Sequence, residues 1–570
     1  MSARAVDVSH DIQALHALFE LDWEASARRY PEVSTRRGDL RFNSSLTDES
    51  QEAVEAFDAF ERKCLTRARA IAPEHLSAPD RLSLALFIAA LEREIEEQAF
   101  TGYRSLLLGT QGGAQSDFAD LLRTVPMENA QQVNQLLMRI SLYPRLMDQR
   151  IQKMRRGAAL GWIPARPILD RVLLQIDAQL PENLESGPFF APFMRMAATI
   201  PREEQEQFRR KAGEAILRHV IPAMRQLRIF VVEEYLPRSP PSGALSRYPD
   251  GGQVYDMLVR RRATTMLSPR EIHAIGNREL ERLRREMEDA MHQAHFAGGF
   301  PEFIEHLKAD PKFYYTTPEA MLAAYRDIAK RIDAELPRLF AELPRAPYGV
   351  RAMPAFRGAH AAEYYEAPSQ DGDRAGYFNA NVVSWMTKPT WSMPTLTAHE
   401  AAPGHHVQVA RALELRDLPA FRRQLGHVAF TEGWAVYAET LGREIGLYDD
   451  PYSLFGHLQY QAFRAARLVV DTGLHSLGWT RQQAIEFMTE RTGMDAAFVE
   501  QEIDRYLSWP GQALGYMLGE LKIRELRDRA SARLGPRFDL RRFHNAVIDN
   551  GALPLDVLDR VIDSWIESQH

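Results

Sequence analysis

The sequence predicts a mainly α-helical fold: a long helical stretch, a small β-forming insert, and a second helical stretch. Three observations predict it. Apolar residues recur at helical spacing over most of the chain, and helix-start signals stand in front of those segments. Between about residues 346 and 394 the pattern gives way to Pro, Gly and aromatic residues. At 570 residues, 45% hydrophobic and 26% charged, the chain is far longer than one ordinary core requires.

Residues 48–71 and 81–99 each carry an apolar helical stripe. Ser268-Pro269-Arg270-Glu271 reads as N-cap, N1 and an acid at N3, opening a helix that runs to about Phe296. Gly298-Gly299 then stops it. Thr317-Pro318-Glu319-Ala320 opens another helix, with the acid one place earlier. The segment Gly376-Tyr377-Phe378-Asn379-Ala380-Asn381-Val382-Val383 suits a short strand. From Leu396 the helical period returns and holds, with breaks, to Ile566. The division expected is an N-terminal helical half, 1–345, and a catalytic half, 346–570, whose insert spans 346–394.

Composition excludes several function classes. Seventy basic against 77 acidic residues give a net charge of −7, which argues against nucleic acid as a partner. The basic cluster Arg260-Arg261-Arg262 reads as a solvated helix face. No run approaches the ~20 apolar residues that span a membrane. Residues 1–22 show no basic segment followed by an apolar one, so a cytoplasmic location is expected. Cys64 is the one cysteine, which rules out an intrachain disulfide and any zinc site built on several thiolates. A metal here must rely mainly on His and carboxylate ligands.

The chemistry concentrates in His399-Glu400-Ala401-Ala402-Pro403-Gly404-His405-His406. Two imidazoles, an adjacent Glu and a later Glu are the groups a hydrolytic zinc site needs. The spacing is unusual. In an unbroken helix the second ligand would stand four residues after His399, where the chain has Pro403. His406 returns to the same face but lies roughly 10.5 Å along the axis. Ligand nitrogens on one zinc are only about 3–3.5 Å apart, so His399 and His406 cannot share a metal on a straight helix. With Pro403-Gly404 set aside as a bulge, the remainder reads His-Glu-Ala-Ala-His. That makes His399 and His405 the ligand pair and Glu400 the general base, with His406 the alternative second ligand.

The third ligand should be a carboxylate on a neighbouring helix. In Phe430-Thr431-Glu432-Gly433-Trp434-Ala435-Val436-Tyr437-Ala438-Glu439, both Glu432 and Glu439 fall on one face among mostly apolar residues. Glu is seldom buried unless paired or ligating. Glu432 is the candidate ligand; Glu439 is the alternative, or an acceptor for the N–H of a ligand imidazole. Arg464 and Arg467, one turn apart, could hold a substrate carboxylate. A salt bridge from Arg467 to Asp471 is the competing reading.

These blocks, with residues 467–475 and Pro510-Gly511-Gln512-Ala513-Leu514-Gly515-Tyr516, resemble the bacterial domain of unknown function 885 family over about residues 377–519. That family in turn resembles the gluzincin metallopeptidases, such as thimet oligopeptidase and angiotensin-converting enzyme. Dipeptidyl peptidase of the third type offers a precedent for a lengthened His-Glu motif. The resemblance implies two helical halves around a deep cleft, a zinc ion and short peptide substrates. It implies that Tyr516 or His475 donates a hydrogen bond to the oxyanion. It also implies that residues 376–383 form an edge strand that pairs with substrate, with Asn379 and Asn381 facing the peptide. The expected function is a zinc-dependent hydrolase of short peptides. A non-haem iron enzyme is the first alternative, since two histidines and a carboxylate also suit iron, but it leaves Glu400 unexplained. A non-catalytic helical binding protein of the same fold is the second.

Overall fold

A computed structural model gives the fold and describes residues 3–353, 362–369 and 374–569. The chain is mainly helical, with two small sheets. It divides into two compact units, Met1–Val254 and Tyr255–His570.

The first unit is helical apart from a two-residue ladder between Leu108–Gly109 and Gly112–Gly113. Helices α1 (Gln51–Arg69) and α2 (Ala78–Gln98) pack together. Each is opened by a serine that the sequence places just before the apolar stripe. Ser50 Oγ accepts from Ala53 N at 3.3 Å, and Ser77 Oγ from Asp80 N at 3.2 Å. Cys64 is buried on α1.

The second unit carries every residue singled out for chemistry. Those of its elements that position the site are, in order, α3 (Pro269–Gln293), α4 (Pro318–Leu339), β1 (Tyr348–Ala352), β2 (Tyr364–Glu366) and β3 (Gly376–Ala380). There follow α5 (Met393–Glu400), α6 (His405–Glu414), α7 (Val428–Thr440), α8 (Pro451–His475), α9 (Ala496–Ser508) and α10 (Leu514–Leu534). The capping box at α3 forms as expected: Ser268 Oγ accepts from Glu271 N at 3.3 Å, and Glu271 Oε2 from Ser268 N at 2.8 Å. Thr317 Oγ1 accepts from Ala320 N at 3.1 Å at the start of α4.

The unit boundary differs from the one expected at residue 345. Residues 255–345 pack with the motif helices, because α3 lies along α8. The Tyr255 hydroxyl donates to Asp471 Oδ1 at 2.6 Å, and His273 Nδ1 meets Thr472 Oγ1 at 3.0 Å.

Helix α8 is the centre of this unit. From Phe455 to His475 every residue but Tyr460 is buried, so polar side chains on it must find partners inside the protein. Helices α7 and α10 also pack closely. A Cβ on Gly433 would stand 2.4 Å from Gly519 Cα, and one on Gly519 would stand 1.8 Å from the Ala429 carbonyl oxygen. This close approach brings Glu432 on α7 and Tyr516 on α10 to the same place.

The insert is a three-stranded sheet in the order β1-β3-β2. Strand β3 runs parallel to β1, with Tyr348 opposite Gly376, and antiparallel to β2, with Tyr364 opposite Asn379. The segment expected to be an edge strand is therefore the middle one. Gly376–Ala380 is paired with β1 and residues 377–379 with β2, so this stretch cannot add a substrate strand.

Candidate metal centre

Helix α5 ends at Glu400. Ala401 N still donates to Thr397 O at 2.9 Å, and then the chain departs from helical geometry, with Ala401 at φ −100° and ψ −130°. Pro403 has no N–H for the His399 carbonyl, and in a continued helix its ring would collide with that carbonyl. The Ala402–Pro403 peptide is cis. Gly404 N donates to Ala398 O at 2.9 Å and His406 N to Ala401 O at 3.0 Å, after which α6 runs from His405. The bulge expected inside one helix is thus a turn between two helices. Gly404 passes so close to the end of α5 that a Cβ there would stand 2.1 Å from His399 O and 2.4 Å from Ala398 O. The indole of Trp434 on α7 donates to Pro403 O at 3.1 Å and holds the turn from outside.

This path turns His399 and His405 toward one point. Their rings are 4.8 Å apart at 84°. Glu432 Oε2 lies 3.6 Å from His399 Nε2 and 3.4 Å from His405 Nε2. Ligand atoms bound tetrahedrally to zinc at ~2.0–2.1 Å are about 3.3 Å apart, so these separations fit a shared ion. Among the described residues, His399, His405 and Glu432 form the one group of three side chains whose ligand atoms all lie within 4.8 Å of one another. His399 keeps 4% of its side-chain surface exposed, His405 14% and Glu432 22%, so the centre is reached from the His405–Glu432 side.

The rest of the cluster orients these groups. His399 Nδ1 lies 2.8 Å from Glu439 Oε1, which is fully buried. A carboxylate only accepts, so Nδ1 carries a proton, which leaves Nε2 as the nitrogen that can ligate an ion. Glu439 Oε2 also accepts from Gln461 Nε2 at 3.4 Å. Burial raises the Glu432 carboxyl, but the facing imidazoles of His405 and His399 outweigh it and hold the pKa well below the ordinary value. Burial likewise opposes charge on His399, but Glu432 and Glu439 prevail and raise its pKa. Glu400 is pushed up to about 8, first by burial and then by the negative charges of Glu432 and Glu363, against the opposing His405 and Arg464. A dication beside it would favour its ionised form.

His406 turns away. Its Nδ1 lies 2.9 Å from the Tyr365 hydroxyl, and its ring meets Tyr348 at 4.6 Å. Burial lowers its pKa to about 4. It ties α6 to the sheet. Tyr516 stands parallel to His399 at 6.4 Å. Its hydroxyl accepts from Arg505 Nη2 at 3.4 Å and donates to none of the described residues, so its proton is available.

Other expected site residues are placed differently. His475 lies eleven residues beyond Arg464 on α8, about 16 Å along the axis, and its Nε2 is spent on Tyr506 O at 3.0 Å. It is a packing histidine, not an oxyanion donor. Asn379 is fully buried, accepts from Arg351 Nε at 2.8 Å and donates to Tyr377 O at 3.2 Å. Asn381, also buried, accepts from Val383 N at 3.1 Å. Asn379 is thus spent on fixing the sheet and presents no amide to a peptide, while the Asn381 side-chain oxygen fixes the exit from the strand. Arg467 pairs with Glu502 at 2.9 Å and donates to Tyr506 Oη at 2.9 Å, while Asp471 is engaged by Tyr255 and Gly511 N. Trp434, Gln461 and Arg505 went unmarked in the sequence. Of these, only Trp434 carried a signal, its place two residues after Glu432.

The family model for DUF885, bacterial proteins of unknown function, matches residues 31–562. The chain belongs to the DUF885 family. Two solved structures resemble this DUF885 protein, both provisionally named lipoproteins. One, from Colwellia psychrerythraea, is 28% identical, covers 98% of this chain and 99% of its own, and superposes with a TM-score of 0.92. The other, from Shewanella oneidensis and described as of unknown function, is 17% identical, covers 96% and 98%, and has a TM-score of 0.71. That naming differs from the cytoplasmic location expected from the N-terminus. Among the described residues no helix is long and apolar enough to cross a membrane. No curated protein matches the chain.

Gly404→Ala is expected to cost roughly 1–3 kcal/mol, because backbone carbonyls and not flexible side chains oppose the new methyl. A lowered midpoint in denaturant unfolding checks it, and an unchanged midpoint would refute the tight turn.

Proposed function

We propose that this DUF885 protein is a zinc-dependent hydrolase of the gluzincin kind, cutting peptide bonds in short peptides. The observation that carries the proposal is the meeting of His399, His405 and Glu432 with their ligand atoms within 4.8 Å of one another and Glu432 Oε2 at 3.6 and 3.4 Å from the two Nε2 atoms, with Glu400 next in the chain to the first of them. The donor set suits zinc: two imidazoles, one with its tautomer fixed by Glu439, and one carboxylate, the ligand number of catalytic sites.

When bound, the ion supplies Lewis acidity that acidifies water and polarises a carbonyl. The chain's own residues do the rest. Glu400 takes the proton of the attacking water on a carboxylate oxygen and returns it to the leaving amine. The unspent Tyr516 hydroxyl donates to the oxygen that gains negative charge. Glu439 keeps the His399 proton on Nδ1 throughout.

Iron is the competing metal, because two histidines and one carboxylate also hold it in oxygenases. Glu400 favours hydrolysis, since an oxygenase has no use for a buried carboxyl beside its ligands.

Protein expressed with added zinc is expected to carry about one zinc per chain by elemental analysis. His405→Asn should lose most of it, and His406→Asn should retain it at some cost in stability. Stoichiometric iron in place of zinc, or zinc loss from His406→Asn alone, would overturn the ligand assignment.

Glu400→Gln is expected to keep the metal while kcat/KM on short peptides falls on the order of 10²–10⁴-fold. A chelator should abolish cleavage in the unaltered protein. Undiminished cleavage in either experiment contradicts the mechanism.

A further inference from the structure

Arg464 is buried on α8 with 6% of its surface exposed, yet its guanidinium is poorly satisfied. Its Nε is buried with no hydrogen-bond partner. Among the described residues its contacts are an ion pair with Glu439 Oε1 at 3.7 Å and three aromatic rings, Tyr460, Phe463 and Tyr516, at 5.6, 5.2 and 5.0 Å. Glu439 Oε1 is already engaged at 2.8 Å by His399 Nδ1. Arg467, one turn on, has a similar defect: Nε and Nη2 are bonded to Tyr506 and Glu502, but Nη1 is buried without a partner. Its guanidinium lies 4.3 Å from the Tyr516 ring.

A structural arginine in the same chain looks different. Arg139 is fully buried, and its Nε, Nη1 and Nη2 all donate, to Ser45 O, Thr35 Oγ1 and Phe42 O at 2.8–3.1 Å. Buried guanidinium groups cost free energy unless paired and bonded. The two under-satisfied ones flank Tyr516, the ring that faces His399. Arg464 is one carboxylate and one imidazole away from the ligand atom.

We propose that Arg464, backed by Arg467, seats a substrate carboxylate one or two residues from the bond that is cut. This rests on the hydrolase reading of the centre but is tested apart from it. A guanidinium offers five donors in a planar fork and binds a carboxylate through two parallel hydrogen bonds. The carboxylate is either the free C-terminus of a short peptide or an acidic side chain near the cut.

The test is calorimetric binding to the full chain after chelation, so that neither metal nor turnover contributes. Three probes are compared: N-acetyl-Ala-Ala, its C-terminal amide, and N-acetyl-Ala-Glu with the C-terminus amidated. At least tenfold tighter binding of a carboxylate probe than of the neutral amide is expected. The free terminus, if preferred, identifies a carboxyl-end cutter; the glutamate probe, if preferred, identifies acidic-residue specificity. In Arg464→Gln and Arg467→Gln the preference should fall to within threefold, with folding verified by circular dichroism. Equal binding of all three probes to the unaltered chain overturns the proposal, as does a preference that survives in both folded variants. Absence of zinc would defeat the metal reading and leave this result standing.

Discussion

Pro403 cannot donate to the His399 carbonyl, and the geometry of the centre follows from that missing bond. The chain leaves α5 at Glu400, turns against the helix end, and re-enters as α6 at His405. Without the turn, the two imidazoles could not approach one point. The turn is held on both sides. Gly404 lies against the last carbonyls of α5, where no side chain fits, and Trp434 bonds the Pro403 carbonyl from α7. Since Trp434 is two residues from Glu432, the helix that brings the third candidate ligand also fixes the turn that brings the second. The triad is thus coupled through backbone and indole before any ion is considered.

The second constraint is burial of charge on α8. Nearly every side chain from Phe455 to His475 is enclosed, and the stretch carries two arginines, an aspartate and two histidines. Some are answered locally. Asp471 accepts from the Tyr255 hydroxyl and from Gly511 N, and burial pushes its carboxyl up to about 7. His475 is bonded to the Tyr506 carbonyl, and burial holds its pKa down at about 4. These groups explain themselves as structure. Arg464 and Arg467 do not: each keeps a buried guanidinium nitrogen without a partner, and Arg464 stands beside the His399–Glu439 pair.

Periodicity made the helical fold legible, and the caps at Ser268 and Thr317 were readable because each rests on local backbone geometry. The His-Glu-x-x-Pro-Gly-His-His stretch was readable because ligand distances are short and helix geometry is stiff. Partnership across the fold was not. Asn379 and Asn381 alternate as a peptide-facing pair would, but strand order depends on residues 348–352 and 364–366, and no local pattern says that β3 lies between them. His475 shares its motif block with Arg467, but only the axial rise along α8 shows how far it stands from Arg464. The unit boundary at 254/255 was also hidden, because α3 looks like any amphipathic helix until α8 is seen beside it.

The central claim is that three side chains from three helices share one zinc ion. The most direct measurement is a crystal structure of protein grown with zinc, with anomalous diffraction recorded on both sides of the zinc edge. The account expects one strong peak that disappears below the edge, bonded to His399 Nε2, His405 Nε2 and a Glu432 carboxylate oxygen at about 2.0–2.2 Å. A peak on His406 in place of His405, or no peak within bonding distance of the triad at full zinc saturation, would contradict it.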